Sequence, residues 1–158
     1  MDLEILYTAI YSYLLGSIPF GLILTNLFLN KDLRNIGSGN IGATNVFRSG
    51  KRNLGILTLI LDTLKAYIAI TITLIYFLDY IYLSALLCFL GHIFPVWLKF
   101  KGGKGIAVFL GILFALSIKL GIIFIICWIS ILYLTKFPSI SSLISTGIIF
   151  LYSIYLKN

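Results

Sequence analysis

The chain has 158 residues, of which 60% are hydrophobic and 11% are charged, and its net charge is +7. A soluble domain is about a quarter charged, so this composition excludes a water-soluble globule and predicts a membrane protein. The lysines and arginines fall between apolar segments instead of lining one surface, which argues against a nucleic-acid partner. No cofactor and no metal site are expected, because Cys88 and Cys127 lie within apolar segments without the spacing of metal ligands.

Six apolar segments predict an all-α, polytopic integral membrane protein with about six transmembrane helices, within a range of five to seven. They are residues 5–29, 53–78, 80–98, 105–118, 120–135 and 138–156. The first is too long for a signal-peptide core and is expected to be a retained helix. A tight turn at Lys119 separates the short fourth and fifth segments, because burying this lysine at mid-membrane costs about 3 kcal/mol. No linker divides the chain, so residues 1–158 form one membrane domain.

Three prolines indicate where the helices are interrupted. Pro19 predicts a kink near Ser17 in the first segment, because proline lacks a backbone donor and clashes with the preceding turn. Pro95 predicts the same near the end of the third segment. Pro138 is expected to open the last helix, where a missing N–H costs nothing.

The positive-inside rule places the N-terminus outside. With that orientation, nine lysines and arginines lie in inside loops: Lys31, Arg34, Arg48, Lys51, Arg52, Lys99, Lys101, Lys104 and Lys136. Only Lys119 and Lys157 lie outside, and Lys65 lies within a helix. Two glycine-rich basic segments, the first loop (residues 36–52) and the second loop (residues 99–106), are therefore expected on the cytoplasmic side.

The first loop matches the dinucleotide fingerprint G-x-G-x-x-G. The matching positions are Gly37, Gly39 and Gly42, with Asp62 twenty residues further on. The fingerprint requires a strand and a helix around it, and the predicted flanks are membrane helices, so a nucleotide site is rejected. Glycines still let backbone amides approach an anion. The loop also offers polar and cationic groups for a phosphate: Ser38, Asn40, Thr44, Asn45 and Arg48. A purely structural interfacial turn is the alternative.

The second loop also predicts an anion site at the start of a helix. It combines three glycines with three lysines: Gly102, Gly103, Gly105, Lys99, Lys101 and Lys104. It is not a Walker A loop, because Leu98 stands where that motif needs glycine and Gly105 where it needs serine or threonine. Lysines that only snorkel and set topology are the alternative, which leaves the glycines unexplained.

Three titratable residues admit two interpretations each. His92, the only histidine, is either a general base near the second loop or a structural residue. Asp62 and Lys65 lie at i, i+3 and share a helix face. They either form the floor of a polar pocket or neutralise each other and lock helices together.

The two loops and their flanks resemble the bacterial acyl-phosphate:glycerol-3-phosphate acyltransferase family, PlsY. The similar stretches are 16–21, 37–48, 62–65 and 91–107, with weaker similarity over 137–142. The resemblance implies transfer of a fatty acyl group from acyl phosphate to the 1-hydroxyl of glycerol 3-phosphate, giving lysophosphatidic acid and phosphate. This is the first acylation of phospholipid biosynthesis. It implies a multi-pass protein of the bacterial inner membrane, in contact with membrane lipid, and makes the enzyme that produces acyl phosphate a further candidate partner.

The resemblance also assigns roles to residues of both loops. It implies that Ser38 and Arg48 are required, that Gly102, Gly103 and Gly105 bind glycerol 3-phosphate, and that the second-loop lysines, including Lys101 and Lys104, lie near substrate phosphates. The family's third cytoplasmic motif, with His, Asn and a later Glu, is not found before the chain ends. A truncated or short form with impaired activity is therefore an alternative.

The sequence favours direct transfer, because no Ser-His-Asp or Cys-His set is apparent. Lys104 and loop amides are then expected to stabilise developing charge. His92 or a substrate phosphate oxygen would accept the proton, and Ser38 would orient a substrate. The acyl chain would lie between helices rich in Leu, Ile and Phe. A competing class is a transporter or channel for phosphate-bearing anions. Against it stand the lack of a repeat and the position of both loops on one side.

Overall fold

The structure is a computed structural model that describes residues 3–157. Within these residues it contains eight α-helices and no strand, which confirms the all-α prediction. The helices are α1 Leu3–Gly16, α2 Phe20–Leu29, α3 Ala43–Arg48, α4 Arg52–Tyr76, α5 Ile81–Ile93, α6 Ile106–Leu116, α7 Ile118–Thr135 and α8 Pro138–Lys157. Short 3₁₀ turns occur at Leu33–Asn35, Leu78–Tyr80 and Val96–Leu98.

Five stretches of the described chain are long and apolar enough to cross a membrane. They are Leu3–Leu29, Arg52–Tyr76, Leu78–Leu98, Ile118–Thr135 and Pro138–Leu156. α6 is apolar but shorter. Large apolar side chains cover the outside of the bundle; Leu143 on α8, for example, is 77% exposed. Such a surface is stable against lipid and not against water, as the composition predicts.

The first apolar segment is a pair of helices, where the sequence predicts one kinked helix. α1 ends at Gly16 and α2 begins at Phe20, so the kink predicted near Ser17 is a full break. Gly16 packs directly on the backbone of Cys88 in α5, where a Cβ would overlap the carbonyl. Pro95 follows the end of α5 and Pro138 is the first residue of α8, both as predicted.

The turn between α6 and α7 lies two residues before the predicted position. The break falls at Ser117, whose backbone is extended, and Lys119 lies in the first turn of α7. Ser117 N still bonds back to Leu113 O while Gly121 N bonds to Ser117 O, so this residue closes one helix and opens the next. A helix can therefore start before Lys119, whose side chain lies over the ring of Tyr152.

The core lies where α1, α4, α5 and α6 meet. It combines apolar side chains such as Ile70, Val108 and Ile112 with hydroxyl groups. Ser84 shares hydrogen bonds with Ser12 at 2.7 Å and with Thr73 at 2.8 Å, which joins α5 to α1 and α4. Hydroxyl groups that bond across helices in this way satisfy one another in a medium without water.

Candidate active site at one end of the bundle

The structure brings the two loops together at the same end of the helix bundle. The first loop precedes α4 and the second follows α5, and these helices are antiparallel neighbours. Ile41 and Val46 of the first loop form an apolar cluster with Leu33, which precedes the loop, and with Leu22 of α2. Leu98, at the entry to the second loop, packs against this cluster. Both loops therefore lie at one end of the bundle, and their position on the cytoplasmic side of the membrane stays a prediction.

Asn45 holds the first loop from within. Its side chain is buried, and its Oδ1 accepts a hydrogen bond from Ser38 N at 2.9 Å. Its amide nitrogen serves the carbonyl oxygens of Leu33, Ile36 and Asn40 at distances of 2.8 to 3.1 Å. With its donors and acceptor engaged, Asn45 shapes the loop, and contact with a substrate stays a prediction for this residue.

The glycines of the first loop supply backbone conformations that other residues avoid. Gly37 has a φ of 54° and Gly39 a φ of 71°, both in the left-handed region. The side chain of Asn40 caps the turn by accepting from Gly42 N at 2.9 Å, and Gly42 leads into α3. These residues therefore determine the fold of the loop, and their role in phosphate binding stays a prediction.

Asp32 organises the chain just before the first loop. Its carboxylate accepts from Arg34 N at 2.9 Å and pairs with the Arg34 guanidinium at 2.6 Å. These hydrogen bonds lower the pKa of Asp32 from its usual range, with the side-chain bond to Arg34 as the largest cause. Both groups are largely exposed, so the pair fixes local geometry and adds little stability.

Three of the side chains that the sequence predicts to bind phosphate remain on the surface of the first loop. Ser38, Thr44 and Arg48 are exposed. Arg48 ends α3, and its Cδ lies 3.5 Å from the point where a Cβ on Gly37 would stand. Within residues 3–157 its guanidinium has no hydrogen-bond partner, which leaves a planar fork of donors above the loop, a geometry suited to phosphate.

The second loop is held by the end of α5. Gly102 N donates to Ile93 O at 2.9 Å and Gly103 N donates to His92 O at 3.0 Å. These carbonyls belong to the last turn of α5, which has no partners further along its own helix. Two amides predicted to be free for a phosphate are therefore already used.

The three second-loop glycines also make room for this contact. A Cβ on Gly102 would overlap His92 O, one on Gly103 would overlap the His92 ring, and one on Gly105 would overlap the Phe89 ring. Gly105, with a φ of 80°, opens α6. Close packing thus explains the three glycines, which the alternative of lysines that only set topology left unexplained. Their binding of glycerol 3-phosphate stays a prediction.

Cationic groups remain available beside the second loop. Lys101 and Lys104 are exposed. The first amide of α6 to bond backward is Phe109 N, which donates to Gly105 O at 2.7 Å, so the amides of residues 106–108 have no partner within the helix. Together with Lys104, the N-terminus of α6 forms an electropositive surface next to the first loop.

Asp62, Lys65 and His92 form a buried cluster beneath the loops. Lys65 Nζ lies 2.8 Å from Asp62 Oδ1 and 3.0 Å from His92 Nδ1. It also donates to the carbonyl of Ile18 in the break between α1 and α2. The i, i+3 pair shares a helix face as predicted, and these contacts favour the helix-locking alternative over a pocket floor.

Trp97 also belongs to this framework, a role that sequence reasoning missed. Treated by position alone it is an interface anchor, yet its indole Nε1 donates to Ser17 O at 2.8 Å. Tyr13 OH likewise donates to Phe94 O at 2.7 Å. The break in the first segment is thus tied to the base of the second loop, and the break in the helix next to two glycine-rich loops was the available signal.

An apolar groove of about 560 Å³ runs along the crossing of α4 and α6. α4 contributes Leu59, Leu64 and Tyr67, and α6 contributes Leu110 and Phe114. The two helices approach closely because α6 has glycine at position 111, where a Cβ would overlap Thr63 O. The groove is open along one side and begins about one turn into α6, close to the second loop.

The fold and this end of the bundle define a polytopic membrane protein with two adjoining loops suited to phosphate groups. Residues 6–157 match the family model described as glycerol-3-phosphate acyltransferase. The chain belongs to that family and is an acyltransferase.

Individual relatives agree with the family model. The chain is 51% identical over 156 residues to a glycerol-3-phosphate acyltransferase of Pelagibacter ubique, covering 99% of this chain and 82% of that protein. It is 49% identical over 140 residues to the one of Rhodopseudomonas palustris, covering 88% and 71%. A crystal structure of PlsY (YgiH), an integral membrane glycerol 3-phosphate acyltransferase in its glycerol 3-phosphate form, superposes with a TM-score of 0.89 at 38% identity, covering 96% of this chain and 77% of that chain.

Proposed function

We propose that this protein transfers a fatty acyl group from acyl phosphate to the 1-hydroxyl of glycerol 3-phosphate, giving lysophosphatidic acid and phosphate. The observation that carries the proposal is the joint position of two cationic glycine-rich loops at one end of a membrane bundle that belongs to the acyltransferase family. Both substrates carry a phosphate, and the two loops offer one exposed cationic surface to each.

The exposed groups suggest how the phosphates are divided. Arg48 and Ser38 are suited to one phosphate, because a guanidinium fork binds two of its oxygens at once. Lys104 and the free amides of α6 are suited to the other. The resemblance of the second loop favours glycerol 3-phosphate at Lys104, which leaves the donor phosphate to Arg48.

The reaction needs no covalent intermediate on the protein. The 1-hydroxyl oxygen attacks the acyl carbon, the bond to the phosphate oxygen breaks, and the hydroxyl proton passes to a phosphate oxygen. Holding the reactants side by side supplies proximity, and Arg48 and Lys104 stabilise the charge on the oxyanion and the leaving phosphate. With Nδ1 of His92 already bonded to Lys65, the phosphate oxygen is the better proton acceptor.

The groove between α4 and α6 is the proposed place for the donor's acyl chain. Its walls are almost wholly apolar, it is open along one side, and it begins close to the second loop. An acyl chain in this groove would keep its carbonyl end near the loops while its methyl end lies among lipid tails.

The proposed location is the bacterial inner membrane, with the N-terminus outside and both loops in the cytoplasm. The excess of lysine and arginine on the loop side supports this orientation. A cytoplasmic site could receive its donor from the enzyme that makes acyl phosphate. Lys101→Cys should react with an impermeant thiol reagent only from the cytoplasmic side, and Lys119→Cys only from outside. Labelling from the opposite sides would contradict the orientation.

The decisive experiment uses the purified protein in detergent with glycerol 3-phosphate and either acyl phosphate or acyl-CoA. We expect lysophosphatidic acid from acyl phosphate and none from acyl-CoA. Product from acyl-CoA alone would identify a different donor. Uptake of phosphate-bearing anions into vesicles without any acyl transfer would favour the transporter alternative.

A further inference from the structure

The Asp62–Lys65–His92 cluster takes no part in the transfer described above. Its side chains are nearly excluded from solvent, with 2% exposure for Asp62 and Lys65 and 4% for His92. Charged side chains inside a membrane bundle are costly and persist where they pair or serve a function. The partners of these three residues indicate which function they serve.

Lys65 joins three separate parts of the bundle. An ammonium group has three donors and no acceptor. Two hydrogen-bond acceptors lie around Nζ, Ile18 O in the helix break and His92 Nδ1 on α5, and Asp62 Oδ1 on α4 forms an ion pair with it at 2.8 Å. Lys65 is thereby a fixed junction, and the Asp62 carboxylate supplies the charge that keeps it there.

His92 carries this junction to the second loop. Because Lys65 can only donate, His92 Nδ1 must accept, and the proton of the neutral ring lies on Nε2. That edge of the ring lies against Gly103, where even one added carbon would overlap Nε2. His92 O also accepts the hydrogen bond from Gly103 N at 3.0 Å. The ring and the carbonyl of His92 together fix the position of Gly103. The residue that follows Gly103 is Lys104, which the proposed function assigns to a substrate phosphate.

We propose that Asp62, Lys65 and His92 position the second loop, and that His92 is a positioning residue that acts through Lys65. Lys65 holds the imidazole through its Nδ1, and the ring forms the surface against which Gly103 packs, next to Lys104 in the chain. The expected effects on acyl transfer rest on the proposed function. The positioning of the second loop can be tested without any acyl transfer.

Two substitutions at one position separate positioning from proton transfer. His92→Asn places an oxygen where Nδ1 stands and keeps the acceptor for Lys65, whereas His92→Gln carries its polar group at the Nε2 position and loses that acceptor. We expect His92→Asn to stay within about threefold of the wild-type kcat/KM, and His92→Gln to lose about tenfold or more, mainly through a higher KM for glycerol 3-phosphate. A general base would instead cost about a hundredfold or more in kcat in both variants.

Hydrogen exchange of residues 99–106 gives a readout that does not depend on activity. In detergent, His92→Gln and Lys65→Met should both speed exchange of this segment, while His92→Asn should leave it near the wild-type rate. In the Lys65→Met background the two His92 variants should become equal, because the hydrogen bond that distinguishes them is gone.

Equal exchange and equal activity of the two His92 variants in the presence of Lys65 would overturn the positioning role, whether both are active or both inactive. If the wild-type protein transfers no acyl group, the proposed function fails while the exchange comparison still decides the inference. If His92→Gln does not fold, Lys65→Met provides the same comparison against His92→Asn.

Discussion

The two loops of the candidate site are held in place by opposite means. The first is fixed by a side chain within it, since Asn45 bonds three backbone groups of its own loop and the carbonyl of Leu33 just before it. The second is fixed by backbone bonds to α5 and by glycines that allow close contact, such as Gly103 on His92. The first loop should therefore be sensitive to the loss of a polar group and the second to the gain of a methyl group.

The largest expected effect comes from removing a group that faces the substrate. Arg48→Ala should lower kcat/KM by about a hundredfold or more, because it removes the guanidinium proposed to offset the charge of the donor phosphate. Arg48 is exposed, so the melting temperature in detergent should not change. Arg48→Lys should recover part of the activity, since it keeps the charge and loses the fork. The matched control is Lys31→Ala, another exposed cation, which should behave as wild type. Near-normal transfer by Arg48→Ala would remove its proposed role.

The next largest effect is expected from a substitution that removes the internal hydrogen bonds of the first loop. Asn45→Ala leaves Ser38 N and three carbonyls without their partner, which should destabilise the loop by about 3 kcal/mol. We expect a lower melting temperature and a loss of activity of about tenfold or more. Thr44→Ala, at the exposed neighbouring position, is the stability control and should melt as wild type. An Asn45→Ala protein as stable as wild type would show that the loop is held by other contacts.

A smaller effect tests the close contact of the second loop. Gly103→Ala places a methyl group on the His92 ring, and overpacking of this kind costs about 1–3 kcal/mol. The KM for glycerol 3-phosphate should rise about tenfold, with a smaller change in kcat. Gly147→Ala, which meets nothing within 4 Å, should have no effect.

A double variant sharpens the same test. The shorter side chain of His92→Asn leaves room for the new methyl group, so Gly103→Ala should cost less in that background than alone. Steady-state kinetics of the four proteins measures the coupling. An equal cost in both backgrounds would show that the His92 ring is not what Gly103 accommodates.

The smallest effect concerns the exposed pair before the first loop. Asp32→Asn weakens the bond to the Arg34 guanidinium, and transfer at neutral pH should change less than about twofold, because exposed pairs contribute little. The hydrogen bonds to Arg34 lower the pKa of folded Asp32, so its contribution to stability is present above the usual carboxylate range and is lost as pH falls through the lowered value. Acid melting curves of wild type and Asp32→Asn should therefore converge only at low pH. Curves that already coincide near neutral pH would assign no role to the pair.

Much of the fold follows from composition and from single residues. The apolar segments predicted the helices, and Pro95 and Pro138 predicted an end and a start correctly. The break at Ser17 was placed correctly but predicted as a kink. Proline and glycine show that a helix is weakened, whereas its complete interruption depends on distant partners for the freed carbonyls, Trp97 and Lys65.

The site was predicted in outline and not in its internal contacts. Spacing placed Asp62 and Lys65 on one face, since residues three apart are neighbours on a helix. It could not show that Lys65 reaches His92, which lies 27 residues further along the chain on another helix. Asn45 and Gly103 were predicted to bind a phosphate-bearing substrate, which stays a prediction. That they support the loops follows only from which backbone groups fold back onto them.

The short length of α6 has a consequence for the surrounding bilayer. Its 11 residues rise only about 16 Å, roughly half the thickness of a hydrocarbon core. The lysine two residues into α7, Lys119, can draw lipid headgroups and water towards the end of α6. Within α6 only Leu116, at its end, is exposed, so we expect lipids to compress or tilt at that end alone, as a local thinning of the bilayer. Bilayers of shorter-chain lipids should relieve this mismatch.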